Sequence, residues 1–530
     1  MTTLAIDTPD RERMSTGATG MLRVVLRRDR IVLPLWMGLT LLVLISSAAA
    51  TATTYPTASS RTDRLHQVRE VPMFPLFQSM AFGDSPSALA AQQVFGATTL
   101  LAALGAILLV VRHTRSEEQH GRHELLGSTP IGRSAPLTAT LMMVLSGGAG
   151  IGLVGAAVMA GSGHPVAGSV MLGAMVTGAA WVGATVAAVM AQVSERARTA
   201  AALSYVIVFG MHFLRGSGHL ADAAVLTLLS PWGWLEGVRP FAGDRWWMLL
   251  PAAALVTVLG ALAVVSSARR DLGAGLIPAR RGRTSAVPYL RGPLSLALRQ
   301  NVVPFVVWAG AFAVVGLAFG GVGAAAVSGY ADSAWMLEYA QVMGMDDPAR
   351  AFFVYVVFVL VFPVVAYALL TVLRLRADET SGTADLLLSA PVGRMRWAMA
   401  TALVAFLGSG GLLTVLGVAL MLTAQDVEGL LPLTVSLVPA VWVLIGIAML
   451  CLGFIPRAAA AVAWCALGVG IAGELLVKAG LPDLVYLALS PIAHVSPYYT
   501  TAHSWLVLVM VAIVTTATGL FGIRRRDLSR

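Results

Sequence analysis

Residues 117–133 read EEQHGRHELLGSTPIGR, and residues 378–394 read DETSGTADLLLSAPVGR. Aligned without a gap, they pair Glu118 with Glu379, Gly121 with Gly382, Leu125 with Leu386, Pro130 with Pro391 and Arg133 with Arg394. Arg115 and Arg376 extend the match upstream. In each copy, acidic residues stand at helical spacing before a leucine pair, and a proline then ends the helix. Such charged stretches are conspicuous because the rest of the chain is so apolar.

The chain has 530 residues, of which 57% are hydrophobic and 12% charged, with a mean hydropathy of +0.79. Soluble domains carry roughly 25% charged residues. So few charges cannot cover an aqueous surface of this size, and lipid is the expected solvent for much of it. The run IVLPLWMGLTLLVLISSAAA (31–50) has the length of a bilayer-crossing helix, about 20 residues. The long runs do not alternate as a β-barrel would require, whereas helices close their backbone hydrogen bonds internally. Twelve spans are expected: 31–50, 93–111, 136–159, 168–191, 199–214, 247–267, 303–326, 351–373, 398–422, 431–453, 458–476 and 504–522. The span 199–214 is short, and its neighbour 220–235 is broken by Ser230 and Pro231, which predicts a re-entrant or interfacial piece. The first apolar run is a full span rather than a cleaved signal segment.

With the N-terminus in the cytoplasm, most of the 36 basic residues fall on cytoplasmic loops, but only about half of the 27 acidic ones do. An even number of spans returns the C-terminal RRRD (524–527) to the same side. The net charge of +9 is therefore explained by topology rather than by nucleic acid. Further landmarks repeat: Arg27 and Trp36 recur as Arg299 and Trp308, LSP (229–231) recurs at 489–491, and RRDL (269–272) recurs at 525–528. The expected fold is an all-α polytopic membrane protein with about twelve transmembrane helices as two parallel six-helix repeats. The first half is 1–272, with an amphipathic helix at 20–30 and a charged cytoplasmic segment at 113–133. A linker spans 273–293. The second half is 294–530, with its charged segment at 375–394.

Each charged segment lies between the second and third spans of its half, where a short acidic helix with a leucine pair would suit docking into a cytoplasmic partner. A solvated connector accounts for the same acids. Arg23, Arg27 and Arg30 space along one helical face before the first span, as an interfacial helix or a topogenic flank would require, with Arg299 in the weaker counterpart at 293–303. No GxxxxGK[ST] phosphate loop and no HExxH zinc motif occurs. Cys451 and Cys465 both fall in expected spans and read as small buried thiols. His113, His120 and His123 have no histidine partners in the second copy and read as polar surface. No catalytic, cofactor-binding or metal-binding set emerges. Charged residues in mid-span are scarce, which argues against a proton or ion relay.

The two charged segments, the six-plus-six plan and the lack of a nucleotide-binding domain together resemble the fused, two-half permeases of bacterial type-2 ATP-binding-cassette exporters, the polyketide-antibiotic or multidrug exporter permeases. The resemblance covers nearly the whole chain. It implies that the charged segments are ATPase-coupling elements, with Glu117, Glu118, Gly121, Glu124, Leu125, Pro130 and Arg133 in the first and Asp378, Glu379, Gly382, Asp385, Leu386, Pro391 and Arg394 in the second. The acids among them would face a separately encoded ATPase, a homodimer binding ATP and Mg2+. It further implies external hairpin helices at 220–235 and 480–496 and export of lipophilic or amphipathic compounds across the plasma membrane. An ion-gradient-driven secondary transporter, a lipid-modifying membrane enzyme and a non-transporting scaffold or sensor remain the alternatives.

Overall fold

A computed structural model describes residues 16–70, 73–119, 121, 131–271, 273–277, 290–330, 345, 347–424, 427–478, 482–495 and 504–527. Its regular structure is helical, and the chain divides into two compact units, Met1–Gly282 and Arg283–Arg530.

The first unit begins with α1 (Ala18–Arg28), α2 (Val32–Thr54), α3 (Ala58–Glu70), α4 (Met73–Phe77) and α5 (Pro86–His113). Next come α6 (Arg115–Gln119), α7 (Ala135–Gly161), α8 (Val166–Val193) and α9 (Ala197–Leu220). Two short helices, α10 (Ala224–Leu228) and α11 (Pro231–Gly237), precede α12 (Leu249–Arg269). The second unit contains α13 (Pro293–Tyr330), α14 (Pro348–Val372), α15 (Arg374–Thr380), α16 (Thr383–Leu388) and α17 (Arg394–Thr423). It continues with α18 (Leu430–Ser436), α19 (Val438–Phe454), α20 (Ala459–Lys478), α21 (Asp483–Leu489) and α22 (Ser504–Arg525).

Among the described residues, eleven helices are long and apolar enough to cross a bilayer. At 458–476, where a twelfth span is expected, α20 forms over Ala459–Lys478, and the apolar stretch counted among its described residues is the shorter Ala459–Ile471. The doubtful span 199–214 forms fully as Ala197–Leu220. The hairpin expected at 220–235 consists of α10 and α11, broken at Ser230 and Pro231 because the Ser230 side chain caps the new helix through Trp232 N–H. The counterpart of α1 does not separate from its span: α13 runs unbroken from Pro293 through Pro304 to Tyr330. In the first unit, Asp29 closes α1 before α2 starts.

Within the first unit, α5 and α8 are central, each 67% buried over its apolar window, while α12 is only 11% buried and presents its side chains outward. Small residues let the central helices approach closely. A Cβ at Gly105 would lie 1.9 Å from the Trp36 ring, so α2 meets α5 with the indole laid on a bare backbone. Thr177 on α8 donates to the Gly148 carbonyl of α7 at 3.3 Å, and Trp181 donates its indole N–H to Leu145 O at 2.8 Å. In the second unit Trp442 donates to Phe406 O at 3.2 Å. Trp442 and Phe406 occupy the positions that align with Trp181 and Leu145 in the register of the charged segments.

Candidate functional site: the charged segments

The first charged segment starts where α5 gives way to the single turn α6. Its described acids, Glu117 and Glu118, are not displayed to solvent. Glu117 is buried and pairs with Arg28 of α1 at 2.6 Å; this hydrogen bond holds the Arg28 guanidinium above its ordinary pKa. Glu118 is shared between two arginines. Arg115, one turn earlier, binds one carboxylate oxygen, and Arg270, just past the end of α12, binds the other. Both arginines have further partners. Arg115 donates to Gly273 O at 2.9 Å, and Arg270 donates to Ala274 O at 2.7 Å and to the Gln192 side chain at 2.6 Å. Charge-assisted bonds of this kind are among the strongest side-chain contacts.

The second segment repeats the arrangement with its own residues. Glu379 accepts from Arg376, one turn back on α15, at 3.1 Å, and from Arg526, just past the end of α22. The Glu379 carboxylate is 5% exposed and that of Glu118 is 9% exposed. Asp378 lies 4.0 Å from Arg374. Arg394, at the start of α17, donates to the carbonyl of Arg526 at 3.0 Å, so it too closes on the end of the last span.

Both segments turn at a glycine. Gly121 has φ of 68° and Gly382 has φ of 74°, in the left-handed region where a Cβ is strained. After Gly382 the chain enters α16, whose Ala384 is buried and whose Leu387 and Leu388 pack against the core. The face pointing away carries Asp385 and Leu386, the latter 77% exposed. Pro391 follows in an exposed turn. Glu124, Leu125 and Pro130 lie outside the described residues. At the end of the first segment Gly132 N–H donates to Thr16 O at 2.9 Å, tying it to the start of α1, and Arg133 is exposed.

The family profile for the C-terminal domain of the multidrug efflux system permease Rv1217c matches residues 290–524. The multidrug efflux system permease protein Rv1217c of Mycobacterium tuberculosis strain H37Rv is 34% identical over 535 residues, covering 98% of this chain and 96% of that protein. The chain belongs to this family of ABC-type efflux permeases. Because the permease matches a permease along its length, no stretch remains for an ATPase domain of its own.

The expectation that Glu118 and Glu379 show their carboxylates to a partner is modified by the geometry. Both point inward to the last helix of their own unit, and Asp385 and Leu386 hold the outward position. Arg23 and Arg27 are exposed on α1, Arg30 is exposed just beyond its end, and Arg299 is exposed on α13. Asp29, between Arg28 and Arg30, is instead fully buried, bound to His113 and 3.2 Å from Arg112. His113 thus belongs to the interior and not to the polar surface assigned to it from sequence. In the second unit the aligned residues are Gln300, Asn301, Leu373 and Arg374, which cannot reproduce this set.

One further cluster was missed in the sequence. Arg215 on α9 and Glu236 on α11 are both buried and pair at 2.8 Å. His219 and Met80 N–H complete the carboxylate at 2.6 and 2.8 Å, and Arg215 also donates to Pro75 O and Leu76 O. Burial opposes ionisation of Glu236, but Arg215, His219 and Met80 N–H outweigh it and hold its carboxyl below the ordinary value. A lone glutamate inside the apolar run SPWGWLEG was the available signal. The cluster braces the hairpin and the 75–80 loop against α9. Among the described residues, no three His, Cys, Asp or Glu side chains assemble into a metal site.

Proposed function

We propose that the chain is the membrane permease of an exporter driven by a separate ATPase, moving lipophilic or amphipathic compounds, antibiotic-like or drug-like, out of the cell. The end-to-end likeness to a multidrug efflux system permease carries this reading. Twelve spans in two parallel six-helix halves, with α20 as the eleventh and both termini cytoplasmic, fit the arginine-rich loops and the landmarks that recur in register. The paired contacts Trp181–Leu145 and Trp442–Phe406, the glycines Gly121 and Gly382, and the carboxylates Glu118 and Glu379 support this duplication. A twofold ATPase, holding ATP and Mg2+ between its own subunits, would meet one charged segment per half. Leu386 and Asp385, with Leu125 and Glu124 as their counterparts, form the docking contact, while the glycine turn and the buried glutamate fix its posture.

An apolar groove of about 350 Å³ between α7, α8 and α12, lined by Leu153, Val170, Trp181 and Val256 among others, supports an apolar cargo or lipid at this surface. Its Thr177 hydroxyl and Trp181 N–H are spent on neighbouring carbonyls.

The test is co-expression of the permease with a soluble ATPase bearing a phosphate loop from the same genome. Co-purification and ATP-dependent efflux of a lipophilic cationic dye from proteoliposomes are expected. Dye movement driven by a proton or sodium gradient without nucleotide would sink the reading in favour of a secondary transporter.

A further inference from the structure

We propose that each charged segment drives the last membrane helix of its own half, and that Glu118 and Glu379 are the joints that make the connection. The proposal deepens the reading of the chain as an ATPase-driven permease and rests on it. Sequence adjacency links the first segment only to α5 and α7, and the second only to α14 and α17. The carboxylates add a link that the chain path does not provide. Glu118 is held by Arg115 of its own segment on one oxygen and by Arg270 at the end of α12 on the other. Glu379 is held by Arg376 and, through its other oxygen, by Arg526 at the end of α22.

Three observations separate a joint from an incidental ion pair. The arrangement occurs twice, built from residues that align within both repeated motifs, and a solvated pair has no reason to recur in that way. The carboxylates are almost wholly withdrawn from water, so salt does not screen them as it would a surface pair. In each unit the far arginine is anchored a second time. Arg270 binds Gln192 and Ala274 O, and the Arg526 carbonyl accepts from Arg394. A displacement of the segment would therefore pull on the helix end rather than swing one flexible side chain. Glu118 and Glu379 are positioning residues in this scheme, and the partner touches Leu386 and Asp385 instead.

The experiment uses spin labels on the full-length permease with Cys451 and Cys465 replaced by serine. Labels at Ser381 and Arg524 report the span between segment and last helix. In the permease alone, Arg526→Ala should broaden and lengthen that distance, and Arg526→Lys, which keeps the charge but not the fork, should fall between. An unchanged distance in Arg526→Ala overturns the joint. A label at Trp247, near the outer end of α12, then reports transmission in the complex with the ATPase. Trapping with Mg-ATP and vanadate should alter its mobility in the wild type. Arg270→Ala should cut the population that responds about tenfold, within the range of an allosteric link. A response that survives Arg270→Ala, or a wild type with none, refutes the proposal. Failure of the wild type to bind any ATPase would instead defeat the exporter reading, and the distances in the isolated permease would still decide whether the joint exists.

Discussion

At the scale of single residues, the buried acids matter most because each has been taken out of water and must be repaid locally by partners. Glu236 is the clearest case. Its ionised form is stabilised by Arg215, His219 and Met80 N–H, so its folded carboxyl lies below the ordinary value of 4.5. The stability this charge contributes is complete above the ordinary value and declines as pH falls toward the lowered folded value. Glu236→Gln leaves Arg215 buried beside a neutral amide. It should destabilise the detergent-solubilised protein by about 3–5 kcal/mol at neutral pH, the usual cost of breaking a buried pair. The gap between variant and wild type in thermal unfolding should shrink below pH 4.5; a gap that stays constant down to the lowest measurable pH would refute this account.

At the scale of elements, the two charged segments show what sequence can and cannot reveal. Their existence was legible, because proline and acid spacing are local signals; the break at Gly121 and Gly382 was not, since the acid spacing carries one helix through the glycine and ends it only at the proline. The turn makes a simple prediction. Gly382→Ala places a Cβ in the left-handed region and should cost roughly 1–2 kcal/mol. It should show as lower thermal stability and faster proteolysis at the segment, while Gly393→Ala, with φ of −70°, should cost far less. The direction of the acids was not legible. The glutamates at 118 and 379 and the arginines at 270 and 526 were each recognised as repeated landmarks. Their pairing was invisible because more than a hundred residues separate the partners and nothing in either motif names the other. The amphipathic helix was legible as α1, yet its counterpart merged into α13. At 29 the first half has an aspartate that closes the helix and is buried against His113, and at 301 the second has an asparagine whose amide donates to Ala297 O within the helix.

At the scale of the whole molecule, composition decided the class before any motif was read. With 12% charged residues, the chain must be solvated largely by lipid, and several of the charges it retains are spent on internal pairs, as at Glu118, Glu379 and the Arg215–Glu236 brace. Most of the fold followed from that. For α20, the stretch that qualifies among the described residues is the shorter Ala459–Ile471. A prediction belongs at this scale too. Leu386→Arg changes only one of two docking contacts. It should lower co-purification of the ATPase without abolishing it, and adding Leu125→Arg should abolish it. Equal recovery of ATPase from both variants and wild type would show that the leucine pairs are not the docking surface.

The Asp29–His113 pair has no equivalent in the other half, and both halves reside on one polypeptide. A transporter assembled from two copies of a single gene product cannot carry a lesion on one side only. Here the left and right linkages are separate loci, so an allele can disable one and spare the other. Whether the two halves contribute equally thereby becomes a question that genetics alone can answer.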